Sequence, residues 1–563
     1  MEKTVKMIKK EIRKNGKFME TRELAEGTPL KEIARDYDDN KNCVILAARN
    51  GKKIHELSKT LEEDDKFIDF LTAEHYYGYR TLERALTFVF VRAAYEIFGR
   101  ESKVKIEHSL DKGLYCEVEP YEGWIDEASA EKVRERMQEI IDRDEPFEKF
   151  KLPLDEAKEV LASQYDPSKL ELLKYRGKDS ATVYRCGWLW DYFYGPLPVS
   201  AGCIKVFDVK RIEEGFLLRM PLSKDPEKLP EFRHDRMMYE IFKESHDWLD
   251  LIQIPYVAQL NKTIENGTYR SVIQVSEALH EKKIAEIADS IAVMKKRIVL
   301  IAGPSSSGKT SFAQRLSVQL NVHGIKACTL STDDYFVDRE FVEKDEKGNY
   351  KFEDLDAVDV RLFNEQLNML LNGEEVDIPV YDFIEGKKIF GKRITRMKPN
   401  ETIIIEGIHG LNEKLTEDVR SKDKFKIYIS PLTSLGIDGH NRISTADARL
   451  FRRLVRDNRT RGKNAQATLR SWPEVRNGEE KNIFPFQEEA DVIFNTALPY
   501  ELAVLKKYAK PILEEVGEED PEYVEAWRLL KMLSYFLELP DERAILNNSL
   551  LKEFIGGTCL FED

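Results

Sequence analysis

The sequence predicts an α/β protein whose main unit is a parallel, doubly wound sheet, preceded by a small α+β unit and a second α/β unit. The unbroken apolar run from Ile298 to Ala302 is typical of a strand buried on both faces. A glycine-rich turn follows it, and then apolar residues recur at helical spacing from Phe312 to Leu320. Two later apolar runs lead into Asp333 and Glu406, where parallel strands of such a sheet would end at a common ligand-binding edge.

The first 220 residues predict two smaller units. In residues 1–68, EGTPLKEIARDY predicts a turn and a short helix, and CVILAARNGKKIHEL predicts two strands joined at Asn50–Gly51. In residues 69–220, TLERALTFVFVRAAYEIF predicts a long helix ended by Gly99. Strands are expected after it at KVKIEHSL, GLYCEVE and CIKVFDV.

The rest of the chain predicts three further regions. Residues 221–295 are mostly helical in pattern and predict a connector. Residues 296–515 form the unit that contains the glycine-rich turn, and residues 516–563 predict helices packed on it.

Composition limits the class of protein. The chain has 563 residues, of which 42% are hydrophobic, but no apolar run of about 18 residues that would predict a membrane helix. The basic start MEKTVKMIKKEIRKNGK lacks the apolar core of a secretory signal, and six dispersed cysteines without a C-x-x-C pair fit a reducing compartment. We therefore expect a cytoplasmic protein. The net charge of −14 argues against non-specific binding of nucleic acid.

The turn after the first strand of the main unit is a phosphate-binding motif. Gly303 to Thr310 spell G-P-S-S-S-G-K-T, which matches G-x-x-x-x-G-K-[ST]. The glycines allow backbone N–H groups to converge on an anion, and the following helix presents its positive end to it. Lys309 supplies a charge for the β- and γ-phosphates, and Thr310 supplies a hydroxyl for Mg²⁺. The motif predicts a nucleotide site but does not separate a kinase from a GTPase, an ATPase motor or a switch.

Two acidic positions and one basic segment narrow the choice among these classes of nucleotide-binding protein. CTLSTDDYF ends in paired carboxylates, of which Asp333 is the better candidate for a general base. TIIIEGIHGL places Glu406 where a second acidic group would lie near Mg²⁺. RLFRRLVRDNRTRGK puts arginines 449, 452, 453 and 456 at helical spacing, so we expect one cationic face that meets phosphates. Arg461–Gly462 would begin a lid over the transferred group.

In this order, the motifs resemble those of the uridine kinase and phosphoribulokinase family of P-loop kinases, over roughly residues 297–510. The resemblance implies that Asp333, in Asp333-Asp334-Tyr335-Phe336, is the catalytic base. It puts the ribose-binding acid of FEDLDAVD at Glu353 and a substrate contact at Tyr381 of P-V-Y-D-F. The Mg²⁺ glutamate falls on Glu406, and the R-x-x-R-D-x-x-x-R-G-R lid falls on Arg453, Arg456, Asp457, Arg461, Gly462 and Lys463.

Together, these assignments predict an ATP- and Mg²⁺-dependent kinase. The catalytic candidates are Asp333 and Lys309. The ATP-binding candidates are Gly303, Pro304, Ser305, Ser306, Ser307, Gly308, Lys309, Thr310, Ser311, Arg456 and Arg461. The acceptor-binding candidates are Asp333, Glu353, Tyr381, Arg453 and Lys463, and the metal-ligand candidates are Thr310, Glu406 and Asp333.

The sequence departs from the family pattern where the base of the acceptor would be recognised. A histidine that reads the pyrimidine, three residues after P-x-Y-D-F, is replaced by Gly386, and the last lid arginine is Lys463. The residues that handle phosphate are retained. The resemblance therefore implies phosphoryl transfer to a small acceptor, expected to be a nucleoside, with another base preference than uridine or a broader one.

The N-terminal half resembles the N-terminal region of threonyl-tRNA synthetases. Residues 15–68 resemble a TGS domain, a ubiquitin-like module, and residues 69–220 resemble the adjacent editing domain, most clearly at DYFYGPLPVSAGCIKVFDV. The editing helix here carries no histidine, and the remaining metal-binding positions fall on Phe193 and Leu197. We therefore expect a scaffold or sensor without zinc-dependent editing.

Two alternatives remain open from the sequence. One is a nucleotide-gated regulator that binds RNA or the ribosome, motivated by the TGS-like region and the arginine-rich segment. The other is a kinase whose acceptor is a sugar phosphate or another small alcohol. The sequence does not predict an oligomeric state.

Overall fold

The computed structural model describes residues 6–38, 44–51, 53–164, 166–344, 348, 350–398 and 400–561. The N-terminal unit is a five-stranded sheet in the order β2-β1-β5-β3-β4, with parallel β1 and β5 at its centre. Alternate apolar residues of β1 and helix α1 close one core. The elements are β1 (Met7–Lys14), β2 (Lys17–Ala25), α1 (Leu30–Ala34), β3 (Ala47–Arg49), β4 (Ile54–His55) and β5 (Phe67–Leu71).

The helix and the strand–turn–strand expected in this unit are present. Helix α1 follows Pro29, and β3 pairs antiparallel with β4 across a turn in which Gly51 adopts a positive φ of 73°. Only glycine adopts that backbone conformation without strain.

The second unit packs the long helix α2 on a four-stranded antiparallel sheet, β11-β12-β7-β6, and adds a three-stranded sheet, β10-β9-β8. Its elements are α2 (Tyr76–Phe98), β6 (Lys103–Leu110), β7 (Gly113–Glu119), α3 (Glu127–Asp142), β8 (Glu148–Pro153), α4 (Leu154–Ala162), α5 (Pro167–Leu173), β9 (Ser180–Cys186), β10 (Leu189–Asp191), β11 (Asp208–Ile212) and β12 (Gly215–Arg219).

The strand expected across CIKVFDV was wrong over most of its length. Ala201–Cys203 form a short 3-10 turn, and β11 begins only at Asp208. The turn is fixed by the loop at residues 144–145, because the Ala201 N–H donates to the Glu145 carbonyl and the Gly202 N–H donates to Asp144. Within CIKVFDV, the Ile204 N–H closes this turn on the Ala201 carbonyl and is therefore not available to a neighbouring strand.

The connector consists of helices α6 (Arg236–Leu251), α7 (Val257–Glu265) and α8 (Tyr269–Met294). Ile284, Ile287 and Ile291 of α8 pack into the same apolar core as the main sheet and the helix after the phosphate loop. The last connector helix is therefore an integral layer of the main unit.

The main unit is built on a parallel sheet, as predicted; it has five strands in the order β14-β19-β13-β20-β23. The phosphate loop, residues 303–310, leaves the central strand β13. The elements are β13 (Ile298–Ala302), α9 (Lys309–Val322), β14 (Ala327–Ser331), α10 (Val360–Leu371), β15 (Glu375–Asp377), β16 (Val380–Asp382), β17 (Lys387–Ile389), β18 (Ile394–Arg396), β19 (Thr402–Glu406), β20 (Lys424–Ser430), β21 (Gly436–Asp438), β22 (Asn441–Arg442), α11 (Thr445–Arg461), α12 (Ala465–Asn482), β23 (Val492–Asn495) and α13 (Glu501–Glu514).

The C-terminal region adds α14 (Tyr523–Leu533) and the short helix α15 (Lys552–Ile555), both packed on the lid side of the main unit. No helix within the described residues is both long and apolar enough to cross a membrane.

A buried polar network joins the second unit to the main unit. Asp191 at the end of β10 accepts a hydrogen bond from Nδ1 of His440 at 2.7 Å and forms an ion pair with Lys169 of α5. His440 lies in the turn between β21 and β22, and its neighbour Gly439 pairs with Ile106 and Ser168 of the second unit. Charges buried to this degree are stable only when paired, so the network fixes how the two units dock.

Candidate active site

The phosphate loop wraps tightly at the carboxyl end of β13. Gly308 has a φ of +89° and is the residue before helix α9, and a Cβ on Gly303 would lie 2.1 Å from the Ile429 carbonyl oxygen. Both glycines are therefore required by the path of the loop. Nζ of Lys309 donates to the carbonyl oxygens of Gly303 at 3.0 Å and Pro304 at 3.3 Å, which holds its charge over the concave side.

The loop is held by side chains from α11, from α12 and from the segment after β23. The Ser305 N–H donates to Glu479 of α12 at 3.1 Å, and its hydroxyl accepts from Arg453 of α11 at 2.7 Å. The Thr496 hydroxyl, beyond β23, donates to the Ser307 carbonyl at 2.7 Å. Neither Glu479 nor Thr496 is a residue that the sequence predicted. Their only sequence signal is an acid in the helix after the arginine-rich segment and a threonine after the last strand.

The two aspartates after β14 have different surroundings. Asp334 accepts a bond from the Tyr381 N–H at 3.4 Å and lies 3.7 Å from Arg393, so it belongs to the neighbouring hairpin. Asp333 is partly exposed and interacts electrostatically with Glu406, Glu353 and Arg461. Of the pair, Asp333 is therefore the one that faces the phosphate loop side.

Glu406 ends β19, next to the strand that carries the loop. A Cβ on the following Gly407 would lie 1.8 Å from the Thr332 hydroxyl, so glycine lets the ends of β14 and β19 approach. Burial raises the pKa of Glu406 to about 7, against the opposing effect of Lys309 and with an added contribution from Asp333. A buried carboxylate that interacts with a second carboxylate is a pair of oxygen donors that suits Mg²⁺.

Glu353 lies close to Asp333 and Lys309, and also to Arg453 of the lid helix α11. Burial raises its pKa to about 7, Glu479 and Asp333 add to the shift, and Arg453 and Lys309 oppose it. A Cβ on Gly478 of α12 would lie 2.5 Å from the Cβ of Glu353, so this glycine admits the acid between the helix and the loop. The structure thus groups Lys309, Asp333, Glu353, Glu406 and Arg453, which lie on separate segments of the sequence.

The expectation that Arg449 and Arg452 face phosphates was wrong. Both side chains are buried, Arg449 against Glu479 and Arg452 against Glu501 and the Thr496 carbonyl. Helical spacing predicts that these two arginines share one face of α11 with Arg453 and Arg456. In the fold, however, carboxylates from other segments pack against Arg449 and Arg452, and the sequence pattern does not predict which acids do so. Buried guanidinium groups need such partners.

The remaining lid cations surround one buried carboxylate. Asp457 accepts from Arg456 at 2.8 Å, and Nε atoms of Arg453 and Arg461 lie 3.4 Å and 3.7 Å from it. The neighbouring Arg456 and burial lower the pKa of Arg461 to about 10, and burial also lowers the pKa of Lys463. Four cations share one anion, so this end of the lid keeps an excess of positive charge for phosphate oxygens.

Tyr381 lies in an aromatic cluster beside Asp334. Its ring centroid is 5.6 Å from that of Phe336 and 5.2 Å from that of Phe383, and Phe336 also contacts Phe352. The Tyr381 side chain is buried, and its hydroxyl has no hydrogen-bond partner among the described residues. Phe383 is 58% exposed, so the cluster offers an open aromatic face beside Asp334.

Residues 298–501 match the family model described as the phosphoribulokinase / uridine kinase family. A uridine kinase of Staphylococcus aureus is 31% identical over 198 residues, which are 35% of this chain and 86% of that protein. The chain belongs to the phosphoribulokinase / uridine kinase family. A uridine kinase of Lactobacillus helveticus is 29% identical over 200 residues, again 35% of this chain and 86% of the other.

Family membership and the parallel sheet identify the main unit as a P-loop kinase and the protein as a phosphotransferase. Among solved structures, a D-glycerate 3-kinase of Cryptococcus neoformans is 14% identical and covers 49% of this chain and 87% of its own, with a TM-score of 0.22. The family model matches only residues 298–501, so the resemblances of the N-terminal half stay predictions.

Proposed function

We propose that this phosphotransferase moves the γ-phosphoryl group of ATP to a hydroxyl of a small acceptor, the 5′-hydroxyl of a nucleoside. The observation that carries the proposal is the meeting of Lys309, Asp333, Glu353 and Glu406 where β13, β14 and β19 end. A nucleotide-driven switch needs the loop and a metal ligand, but it has no use for a carboxylate placed to accept a proton from a substrate hydroxyl.

The ATP phosphates would lie along residues 303–311, held by the N–H groups at the start of α9 and by Lys309. Thr310 and Glu406 would hold Mg²⁺, with Asp333 close by, and the bound cation would neutralise charge on the phosphates. Asp333 would orient the acceptor hydroxyl and take its proton as the bond to phosphorus forms. Arg456, Arg461, Arg453 and Lys463 would stabilise negative charge on the transferred group and keep water away from it.

The aromatic cluster and Glu353 support a nucleoside as the acceptor. Glu353 would accept hydrogen bonds from ribose hydroxyls, and the rings of Tyr381 and Phe383 would contact a planar base. Gly386, where the family's pyrimidine-reading histidine would fall, has a φ of +73°, and a Cβ there would lie 2.8 Å from Arg339. Arg339 fills this position and donates to the carbonyls of Phe383 and Ile384, which supports a base preference other than uridine.

The N-terminal half is proposed to be a scaffold for the kinase unit. Phe193 and Leu197 are 4% and 0% exposed within an apolar core, so these two positions offer no ligand atoms for zinc. The buried network of Asp191, Lys169 and His440 supports a fixed attachment of this half to the kinase unit.

The test is ADP release with Mg·ATP against a panel of nucleosides, ribulose 5-phosphate and no acceptor, for the wild type and the Asp333→Asn variant. The proposal predicts turnover that depends on one or a few nucleosides and is lost in the variant. Turnover with ribulose 5-phosphate but with none of the nucleosides would show that the acceptor is a sugar phosphate. ATP binding without any acceptor-dependent turnover, combined with salt-sensitive RNA binding, would favour the nucleotide-gated regulator instead.

A further inference from the structure

The C-terminal segment, residues 546–557, reaches the nucleotide site from outside the family-matched residues 298–501. Leu550 packs into the core around α9, and Leu551 and Phe554 pack into the core around α11. All three side chains are 0% exposed. The segment is therefore anchored between the helix that follows the phosphate loop and the helix that carries the lid arginines.

Glu553 in this segment contacts the first turn of α9. Its Oε2 accepts hydrogen bonds from the Ser311 hydroxyl at 2.8 Å and from the Ser311 N–H at 3.3 Å. Ser311 is the third residue of α9, directly after Lys309 and Thr310, and it is 0% exposed. The carboxylate thus takes donors at the positive end of the phosphate-binding helix.

The same segment contacts two other parts of the site. Arg459 in the last turns of α11 donates to the carbonyl oxygens of Glu553 at 3.0 Å and Phe554 at 3.2 Å. Cδ2 of Leu550 lies 3.9 Å from the position a Cβ would take on Gly308. Movement of Glu553 would therefore change contacts both at the phosphate loop and at the end of the lid helix.

A phosphate and a carboxylate are both anions that seek the free N–H groups of a helix start. The two cannot take the Ser311 donors at once, and like charges at that distance repel each other. We propose that Glu553 is an internal competitor of the nucleotide phosphates, so that the C-terminal segment sets the nucleotide affinity of the kinase. This inference rests on the proposed ATP site.

A purely structural role would have other consequences. If Glu553 served only to cap α9, its loss would lower stability and leave nucleotide affinity unchanged or weaker, as the loss of a helix cap does. Competition makes the opposite prediction for binding, because removing the charge weakens the hydrogen bonds to Ser311 and removes the repulsion of phosphate. Binding strength therefore separates the two roles even where stability falls in both.

The experiment compares full-length wild type, Glu553→Gln and Glu553→Asp by calorimetric titration with Mg·ADP. Glu553→Gln keeps the shape and removes the charge, and Glu553→Asp keeps the charge but withdraws it from Ser311. Both variants should bind ADP more tightly, Glu553→Gln by roughly tenfold to a hundredfold, the scale of one hydrogen bond to a charged group. Glu538→Gln, which removes another exposed acid of the C-terminal region, should leave the Kd unchanged.

A second measurement checks the shared donor. In a Ser311→Ala background the gain from Glu553→Gln should shrink, because one of the two contested hydrogen bonds is already gone. An unchanged or weaker Kd in Glu553→Gln, with wild-type turnover retained, would overturn the inference and leave the kinase proposal intact. Tighter ADP binding without turnover of any acceptor would uphold the inference and contradict the proposed reaction. Absence of nucleotide binding in every variant would overturn both.

Discussion

Arg449 and Glu479 form a fully buried ion pair that joins helices α11 and α12 to the phosphate loop. Nη2 of Arg449 lies 2.7 Å from Oε2 of Glu479, and the two side chains are 1% and 0% exposed. Burial opposes ionisation of Glu479, but Arg449 and Arg476 outweigh it and hold its pKa below the usual range. Because the pair also binds both the N–H and the carbonyl of Ser305, the lid helices and the loop form one structural unit.

The first prediction concerns this pair. Glu479→Gln leaves the Arg449 charge buried without a full partner, and it should lower the free energy of unfolding by about 3–5 kcal/mol. Nucleotide affinity should fall with it, because Ser305 loses its support. Urea unfolding and ADP titration measure the two effects. Glu480→Gln, an exposed neighbour paired with Lys224, is the matched control and should change neither. Equal stability of the two variants would contradict the supporting role.

The second prediction separates the two adjacent aspartates. Asp333→Asn should lower kcat by about 10²–10⁴-fold, the usual range for removal of a general base, with little change in ATP affinity. Asp334→Asn should mainly raise the acceptor KM, since Asp334 contacts the Tyr381 backbone. Steady-state kinetics of both variants decide the assignment. A larger loss of kcat in Asp334→Asn would move the base to the second aspartate.

The third prediction is a pH dependence of acceptor binding. Since burial raises the pKa of Glu353 to about 7, the side chain changes from protonated to ionised across neutral pH. The ionised form accepts hydrogen bonds from sugar hydroxyls, so the acceptor KM should fall between about pH 6 and about pH 8. Glu353→Gln should remove this dependence, and Asp356→Asn, an exposed acid in the same segment, should retain it. A KM that stays constant with pH in the wild type would contradict the ribose contact.

The fourth prediction concerns the attachment of the N-terminal half. Asp191→Asn breaks the buried network with Lys169 and His440 and should cost about 3–5 kcal/mol of stability. We also expect the wild type to unfold in one transition and the variant in two, because the variant weakens the contact between the units. Differential scanning calorimetry measures both, with Asp155→Asn on the surface of α4 as the control. A single transition at the wild-type temperature would show that the network does not couple the units.

The same carboxylate gives this stabilisation a definite pH window. Burial opposes ionisation of Asp191, but Lys169 and His440 outweigh it and lower its pKa from 3.8 to about 2. A lowered folded-state pKa stabilises the protein above the unfolded-state value, and the contribution is lost as pH falls through the folded-state value. The stability difference between wild type and Asp191→Asn should therefore be full at neutral pH and disappear only in strong acid.

Local sequence was sufficient for the parts of the site that depend on one segment. The apolar strand, the glycine spacing and the lysine–threonine pair define the phosphate loop, because the loop backbone must bend at fixed positions next to a helix start. The closeness of Asp333 and Glu406 followed from the rule that parallel strands end at one edge of a sheet, because the two residues lie at or just after the ends of β19 and β14. The strand expected at CIKVFDV was wrong because the preceding residues Ala201 and Gly202 bond to the loop at residues 144–145 and start a turn instead.

The sequence by itself determined the fold class of the kinase unit and predicted its phosphate-handling residues. Only the tertiary structure decided which charged side chains face the site and which are buried in ion pairs that support it. Arg449 and Arg452 share a helical face with Arg453, but Glu479 and Glu501 arrive from 30 and 49 residues away to bury them. Glu553 reaches Ser311 across 242 residues. The energy of a buried charge depends on its neighbours in space, and those neighbours are fixed by packing.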